Sequence, residues 1–168
     1  DLQLLGGSIP LPGSSQSSAF LDGGTYRIHG RGGSHGGAFD ASVTLPSPVT
    51  WTNRDQIAVI DRSQGVRFDW SGGTSTQMVL LLGMGTNQTT KALNTFFCLV
   101  PGNAGSFTVP PSALYNLPVT GAPDLAQSVG ALMLGVLPTA NFATFAASGI
   151  DMGLVIPASL DFRTVEIR

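Results

Sequence analysis

Short apolar runs and turn residues alternate about every ten positions along the chain, and apolar residues nowhere keep helical spacing for three turns. In segments 25–30 and 38–45, apolar and polar residues alternate one by one, which predicts strands with one buried face and one wet face. The glycine-rich residues 31–37 between them favour a turn. The pattern predicts an all-β protein that contains this β-hairpin.

Further segments have the length and composition of strands, some as continuous apolar runs and some alternating, which is typical of central strands mixed with edge strands. They are 56–61, 66–70, 77–83, 95–100, 106–110, 128–137, 141–147, 152–157 and 163–168. One helical turn is predicted at 110–118, where prolines and Ser112 favour a start and Pro118 a stop. Short strands with a single helical turn predict a β-sandwich of two antiparallel sheets.

The amino-terminal residues differ in composition from the rest of the chain. Residues 1–20 are rich in Pro, Gly and Ser, which predicts an extended lead-in or linker, and residues 21–168 are predicted to form the sandwich domain. Because the chain starts at Asp1 without a methionine, we expect a processed or trimmed piece, with further sequence or a further domain upstream.

Charge is sparse in this chain. Asp, Glu, Lys and Arg make up 11% of the residues, against about 25% in an average protein, so hydroxyls, amides and backbone must make the surface compatible with water. This composition is typical of exported β proteins and predicts a secreted or cell-surface location. The net charge of −2, without a basic cluster, argues against nucleic acid as a partner.

Hydropathy adds one further expectation. The longest apolar runs fall far short of the ~20 residues that span a bilayer, so no membrane span is predicted. The mean hydropathy is nevertheless positive, at +0.24, in a chain with few charges. We therefore expect apolar surface to be buried against copies of the chain in a homo-oligomer or against an upstream domain.

Four short motifs give the chain a likeness to a known group of proteins. They are Trp51-Thr52-Asn53, Arg62-Ser63-Gln64-Gly65, Trp70-Ser71-Gly72-Gly73 and the strand from Gly105 to Pro110. With them the chain resembles, from about Phe20 to its end, the C-terminal β-sandwich region of secreted, mostly uncharacterised acidobacterial proteins. The resemblance implies an exported immunoglobulin-like sandwich in the tail of a longer protein, and it implies no catalytic residues.

The hairpin segment 27–45 contains both histidines of the chain, and we interpret it as a plain turn. His29 and His35 would need further donors to hold zinc, and the chain offers no other histidine and one distant cysteine. A phosphate cradle requires a strand before the glycines and a helix after them, and alternating β sequence follows here. Segment 80–88 also contains glycines without the combination of a strand before them and a helix after them that a phosphate cradle requires. We therefore predict a turn there too.

Catalytic residues, cofactors and metals are not predicted. Cys98 lies in an apolar run, where burial raises a thiol's pKa, and no Gly-x-Ser-x-Gly elbow is present. The acidic residues are scattered at strand ends and turns, where Asp ordinarily bonds to backbone. Those considered for a carboxylate pair are Asp40, Asp61, Asp69, Asp151 and Asp161. Calcium binding stays an open alternative for loops 61–65 and 148–153, although the residue spacing in neither loop is that of a known calcium-binding loop.

Three functions stay open at the sequence level. The favoured one is a non-catalytic structural or interaction module of an exported protein, in which the sandwich serves as a spacer, displays other parts or self-associates through its strand edges. The alternative is a carbohydrate-binding module, for which Trp51, expected to be exposed, and Tyr26 are the candidate ligand residues, whereas Trp70 is expected to fill the core. The third is a hydrolase that uses a carboxylate pair.

Overall fold

A computed structural model describes residues 23–45, 48–121, 128–140 and 142–168. Strands and bridges account for 61% of these residues and helical turns for 7%, so the all-β prediction is confirmed. The strands are β1 (Gly24–Gly30), β2 (Phe39–Leu45), β3 (Thr50–Trp51), β4 (Val59–Ile60), β5 (Val66–Ser71), β6 (Gln77–Asn87), β7 (Ala92–Pro101), β8 (Ser106–Val109), β9 (Ser128–Pro138), β10 (Ala143–Ala147), β11 (Ile150–Val155) and β12 (Ser159–Ile167). The helical turn α1 covers Pro111–Leu114, within the predicted segment, and 3-10 turns cover Arg54–Gln56 and Gly102–Ala104.

The largest sheet has five strands in the order β4-β12-β9-β6-β7 and is curled into a half-barrel. All its pairs are antiparallel except β4 with β12, which is parallel. At the centre of the sheet, Leu81 lies between Leu134 on β9 and Cys98 on β7. Since directly paired residues point to the same face, this register fixes which side chains face the core.

The core lies between the inner face of the five-stranded sheet and a second sheet, ordered β3-β5-β8. Phe68 from the small sheet and Leu81, Leu134 and Val165 from the large one are at most 2% exposed. Residues of both sheets and of the α1 region belong to one buried cluster. Each such side chain contributes about 1.5–3 kcal/mol through burial, so this shared interior is the main stabilising feature of the fold.

Two hairpins, β1–β2 and β10–β11, form separate two-stranded sheets and pack against each other through β2 and β10. Phe39 on β2 stacks on Phe145 on β10, with ring centroids 3.9 Å apart. The backbone N–H of Gly37 donates to the carbonyl of Ser148 at 2.7 Å, which ties the two loops together. The hairpin predicted from the alternation in 25–30 and 38–45 is confirmed.

The predicted turn at 80–88 is wrong, because β6 runs without a break through Gly83 to Asn87. The ring of Phe96, on the paired strand β7, covers Gly83, and a Cβ at that position would overlap it. The glycine therefore makes room for an aromatic partner rather than for a bend. The chain turns later, at 88–91, where the side chain of Asn87 accepts backbone N–H groups from Thr89 and Thr90.

The remaining sequence predictions have mixed outcomes. The strand predicted at 56–61 is shorter, because a 3-10 turn at Arg54–Gln56 comes before β4 (Val59–Ile60). The lead-in predicted for residues 1–20 lies outside the described residues. An immunoglobulin-like sandwich stays a prediction, since the large sheet is curled and includes one parallel pair.

Candidate functional site

Trp51 does not have the exposure that the sequence predicts. Its side chain is 5% exposed, stacks on Phe68 with ring centroids 5.0 Å apart, and donates its indole N–H to Asn53 at 2.9 Å. The expectation of an exposed Trp51 is therefore wrong, because pairing with Trp70 in β3 and β5 turns the ring into the core. The signal in the sequence was the spacing of Val49 and Trp51, two apolar residues on one face of a short strand.

Asn53 holds this corner of the small sheet together. Its carbonyl oxygen accepts the indole N–H of Trp51 and the backbone N–H of Asp69, the latter at 3.0 Å. Its amide donates to the carbonyl of Arg67 at 3.0 Å and to the carboxylate of Asp69 at 3.1 Å. The Trp-Thr-Asn motif thus serves packing and hydrogen bonding of β3 against β5.

The Trp-Ser-Gly-Gly motif also has a structural explanation. Trp70 is 4% exposed, as expected for a core residue, and its indole N–H donates to the carbonyl of Gly102 at 2.7 Å. Gly73 has φ of 82°, a left-handed conformation, and a Cβ there would meet the same Gly102 carbonyl closely. The motif anchors the start of β6 to the 3-10 turn after β7.

Tyr26 is half-buried on the side of the hairpin that also carries Phe39 and the buried Val43, its direct partner on β2. Trp51 and Tyr26 therefore do not form a shared aromatic platform: one ring lies inside the core between the sheets, and the other belongs to the hairpin packing. A ligand role for Tyr26 stays a prediction.

The two histidines lie on and beside the same hairpin. His29 faces solvent and contacts the Asp40 carboxylate through Nδ1 at 3.1 Å, next to Arg27, whose Nε donates to the same oxygen at 3.0 Å. Hydrogen bonds from Arg27 and then His29 lower the pKa of Asp40 below its ordinary 3.8. His35 lies in the loop between β1 and β2. Among the described residues, no group of three or more His, Cys, Asp or Glu is arranged to hold a metal ion.

Most described carboxylates are engaged by cations or turn donors. Asp161 accepts a hydrogen bond from Arg54 at 2.8 Å, and Arg54 also contacts Asp55 at 3.2 Å. Asp61 accepts the hydroxyl and the backbone N–H of Ser63, which lowers its pKa. These contacts tie loops to strands, as the sequence analysis expected of Asp at turns.

A shallow recess of about 440 Å³ lies between α1 and the carboxyl-terminal strand, lined by Asp61, Arg62, Ser63, Pro111, Ser112, Tyr115 and Arg168. Arg62 is occupied in donating to the carbonyls of Arg168 and Leu117, at 3.0 and 2.9 Å. Arg168 pairs in turn with Glu166 at 2.7 Å. Within the described part of the chain, Asp61 and Arg62 take part in no ion pair but are hydrogen-bonded to Ser63 and to backbone carbonyls, so the polar groups of the recess hold the 61–63 turn against residues 117 and 168.

The thiol of Cys98 lies half-buried on the inner face of β7, packed against the core. Burial raises its pKa, so that the protonated form predominates at neutral pH. The cysteine therefore behaves as the small apolar residue that its sequence context predicts.

The most unusual surface is the outer face of the five-stranded sheet, defined as the side that points away from β3-β5-β8. Two adjacent rows of paired residues cross it. They are Phe97–Leu82–Met133–Phe162 and Leu99–Leu80–Gly135–Leu160. Neither row contains a charged or hydrogen-bonding side chain, so this face is as apolar as the inner one.

The outer face is exposed at its two sides, on β7 and β12. Phe97 is 73% exposed, Leu99 53% and Leu160 45%, and Leu93 on the same side of β7 is 61% exposed. In the middle, Leu80 and Leu82 are half-buried, and Met133 is 9% exposed although it lies outside the inner core cluster. Contiguous exposed apolar surface of this kind is typical of an interaction site.

This surface is not among the sequence predictions, although the sequence contains a signal for it. In β6 and β9 both alternating sets of positions are apolar, which is typical of strands covered on both sides. The continuous apolar runs at 77–83 and 128–137 were therefore interpreted as central strands, which they are. What sequence alone could not reveal is that their second side continues into the exposed residues Phe97 and Leu99 on β7 and Leu160 on β12.

No protein-family model, curated protein or solved structure matches the chain. Within the described ranges, no helix has both the length and the apolarity needed to cross a lipid bilayer.

Proposed function

We propose that this protein is a non-catalytic structural or interaction module of an exported protein, and that it docks through the outer face. The observation that carries the proposal is the pair of uncharged rows centred on Leu82 and Leu80, which remain open at Phe97 and Leu99. A soluble domain rarely exposes contiguous apolar surface unless something covers it during function.

The position of the surface supports the proposal. β7 is an edge strand of ten residues, and its outer side presents Leu93, Phe97 and Leu99 without a charged residue between them. Proteins that avoid association usually guard such a strand with lysine, proline or an inward-pointing charge. Here Lys91 and Pro101 lie only at its two ends.

A secreted or cell-surface location is part of the proposal. It is supported by the sparse charge of the chain and by its resemblance to the C-terminal region of secreted acidobacterial proteins. Carbohydrate binding has weaker support, because Trp51, one of its two candidate ligand residues, has its ring buried in the core. A hydrolase has weaker support as well, since Asp161 and Asp40 are each paired with an arginine.

An apolar fluorescent dye that brightens on exposed hydrophobic surface tests the docking face. We expect dilute wild-type protein to enhance the emission of anilinonaphthalene sulfonate, and Phe97→Glu to reduce that enhancement several-fold. Met152→Glu is the matched control, because Met152 is also 73% exposed on a strand but lies on β11, in another sheet. Dye binding that is absent, or equal in wild type and Phe97→Glu, would contradict an open docking face.

A parallel experiment addresses the glycan alternative. We expect no retention of the protein on a panel of insoluble plant and microbial polysaccharides. Retention that Tyr26→Ala abolishes and Phe97→Glu does not would replace the proposed function with carbohydrate binding.

A further inference from the structure

We infer that the partner of the outer face is a second copy of this chain, packed face to face, sheet on sheet. The inference rests on the proposed function, because it names the occupant of the same surface. It commits to a symmetric, isologous contact in which each copy contributes the same two rows.

Charge complementarity favours a copy of the chain over a charged partner. A partner that brought charged groups onto the rows through Leu80 and Leu82 would lose the hydration of those groups without gaining an ion pair. The outer face of a second copy brings no such groups, because the same uncharged rows meet. The row that flanks the apolar centre on one side, Thr95–Met84–Ala131–Thr164, carries threonine at both its ends, which suits the rim of a small interface.

The architecture of the surface fits sheet-on-sheet packing. Two β-sheets pack about 10 Å apart with their strands about 30° from parallel, and their side chains interdigitate. The exposed side chains of Phe97 and Leu99 lie beside Leu82 and the flexible side chain of Met133 in the same two rows. Gly135 is itself buried beneath Leu160, so the side chains that project toward a partner are those of Phe97, Leu99 and Leu160.

The area sets the expected strength. Four strands about 4.8 Å apart, over seven residues of about 3.3 Å rise, give a face of about 450 Å² on each copy. The total of about 900 Å² is near the ~1,000 Å² that a specific interface needs, which is the range of weak and transient complexes. We therefore expect a dimer that forms at micromolar concentration and dissociates on dilution.

Sedimentation velocity between 1 and 200 µM tests the inference on the full chain. We expect the wild type to shift from monomer to dimer, and Phe97→Glu to remain monomeric, with the dissociation constant raised about 100-fold or more because each copy would bury an unpaired charge. Leu160→Glu, on the opposite side of the same face, is expected to do the same. Met152→Glu is expected to dimerise like the wild type.

Each outcome decides between explanations. Far-UV circular dichroism and thermal unfolding that match the wild type show that a monomeric variant is folded. A wild-type dimer that Phe97→Glu and Leu160→Glu leave intact places the interface elsewhere and overturns the inference. A wild-type chain that is monomeric at 200 µM also overturns it.

The dye experiment separates that failure from failure of the proposed function. A monomer that binds the dye through Phe97 retains an open docking face for another apolar partner. In that case only the inference that the partner is a second copy is wrong, and the proposed function stands. A monomer without dye binding has this face covered by its own chain, and both proposals then fall.

Discussion

The two faces of the five-stranded sheet are built from the same strands with the same kind of residues, yet they differ in how far they are buried. Leu81 points inward, is 0% exposed and belongs to the core cluster shared with the small sheet, whereas its neighbours Leu80 and Leu82 point outward, are half-buried and lie outside that cluster. The difference shows that apolar composition determines what a strand can bury, and that topology determines what is actually buried. An uncovered apolar face is thus a question about partners rather than about stability.

The largest expected effect distinguishes the two faces directly. Leu81→Ala should destabilise the fold by about 2–5 kcal/mol, because it leaves a cavity between the sheets. Leu99→Ala, on the outer face and 53% exposed, should change the free energy of unfolding by about 0.5 kcal/mol or less. Urea unfolding of dilute protein measures both, and equal losses would contradict the assignment of the faces.

A glycine on the inner face sharpens the comparison. Gly83→Ala places a Cβ against the ring of Phe96, and overpacking of this kind costs about 1–3 kcal/mol. Gly33→Ala is the control, because a Cβ there meets nothing within 4 Å, and we expect a change within about 0.5 kcal/mol. Adding Phe96→Leu to Gly83→Ala should recover part of the loss. A tolerated Gly83→Ala would mean that the inner face is loosely packed.

The small sheet β3-β5-β8, which packs on the inner face, is held together by hydrogen bonds of Asn53. Asn53→Ala removes the hydrogen bonds to Trp51, Arg67 and Asp69 and should cost about 1–2 kcal/mol, since partly buried groups lose their partners. Asn94→Ala removes one exposed bond to the carbonyl of Asn116 and should cost about 0.5 kcal/mol. Thermal unfolding of the two variants ranks them, and the reverse order would show that the small sheet is held otherwise.

The smallest expected effect concerns pH. Arg27 and then His29 lower the pKa of Asp40 below 3.8, and Arg168 lowers that of Glu166 below 4.5. Because these groups bind protons less readily in the folded state, their stabilisation is complete above those values and is lost as the pH falls through and below about 4. The effect is small, since the groups are solvent-exposed.

The outer rows contain no titratable group, so the dimer should be unchanged between pH 5 and pH 8. Unfolding curves at pH 3 and pH 6, beside sedimentation at pH 5 and pH 8, check both statements. Dimerisation that depends on pH within this window would indicate that charged residues take part in the interface.

Local pattern predicted much of the fold. Alternating apolar and polar residues indicate a strand with one buried and one solvent-exposed face. This pattern correctly predicted the strands at 66–70 and 106–110 and the hairpin of 25–30 with 38–45. Gly83 escaped prediction because a glycine in a strand looks like one in a turn until its aromatic partner is known. The burial of Trp51 was not predicted because turn residues follow it in the sequence. Its pairing with Trp70 is a long-range contact that the local pattern does not show.

The outer face could not be predicted from the sequence for a related reason. Continuous apolar runs indicate burial on both sides, but sequence does not say whether the second cover comes from the same chain. The positive mean hydropathy of +0.24 was the one sequence feature that pointed to an external cover. The open rows at Phe97 and Leu99 give that expectation a location.

Methionine oxidation tests the central claim, that two copies of the chain meet through the outer face, with wild-type protein alone. Met78 and Met84 lie on the outer side of β6, and Met152 on β11 is the internal reference. With peroxide and peptide mass spectrometry, we predict that oxidation of Met78 and Met84 slows as the protein concentration rises from 1 to 200 µM, while that of Met152 stays constant. Oxidation rates at Met78 and Met84 that do not depend on concentration would contradict the claim.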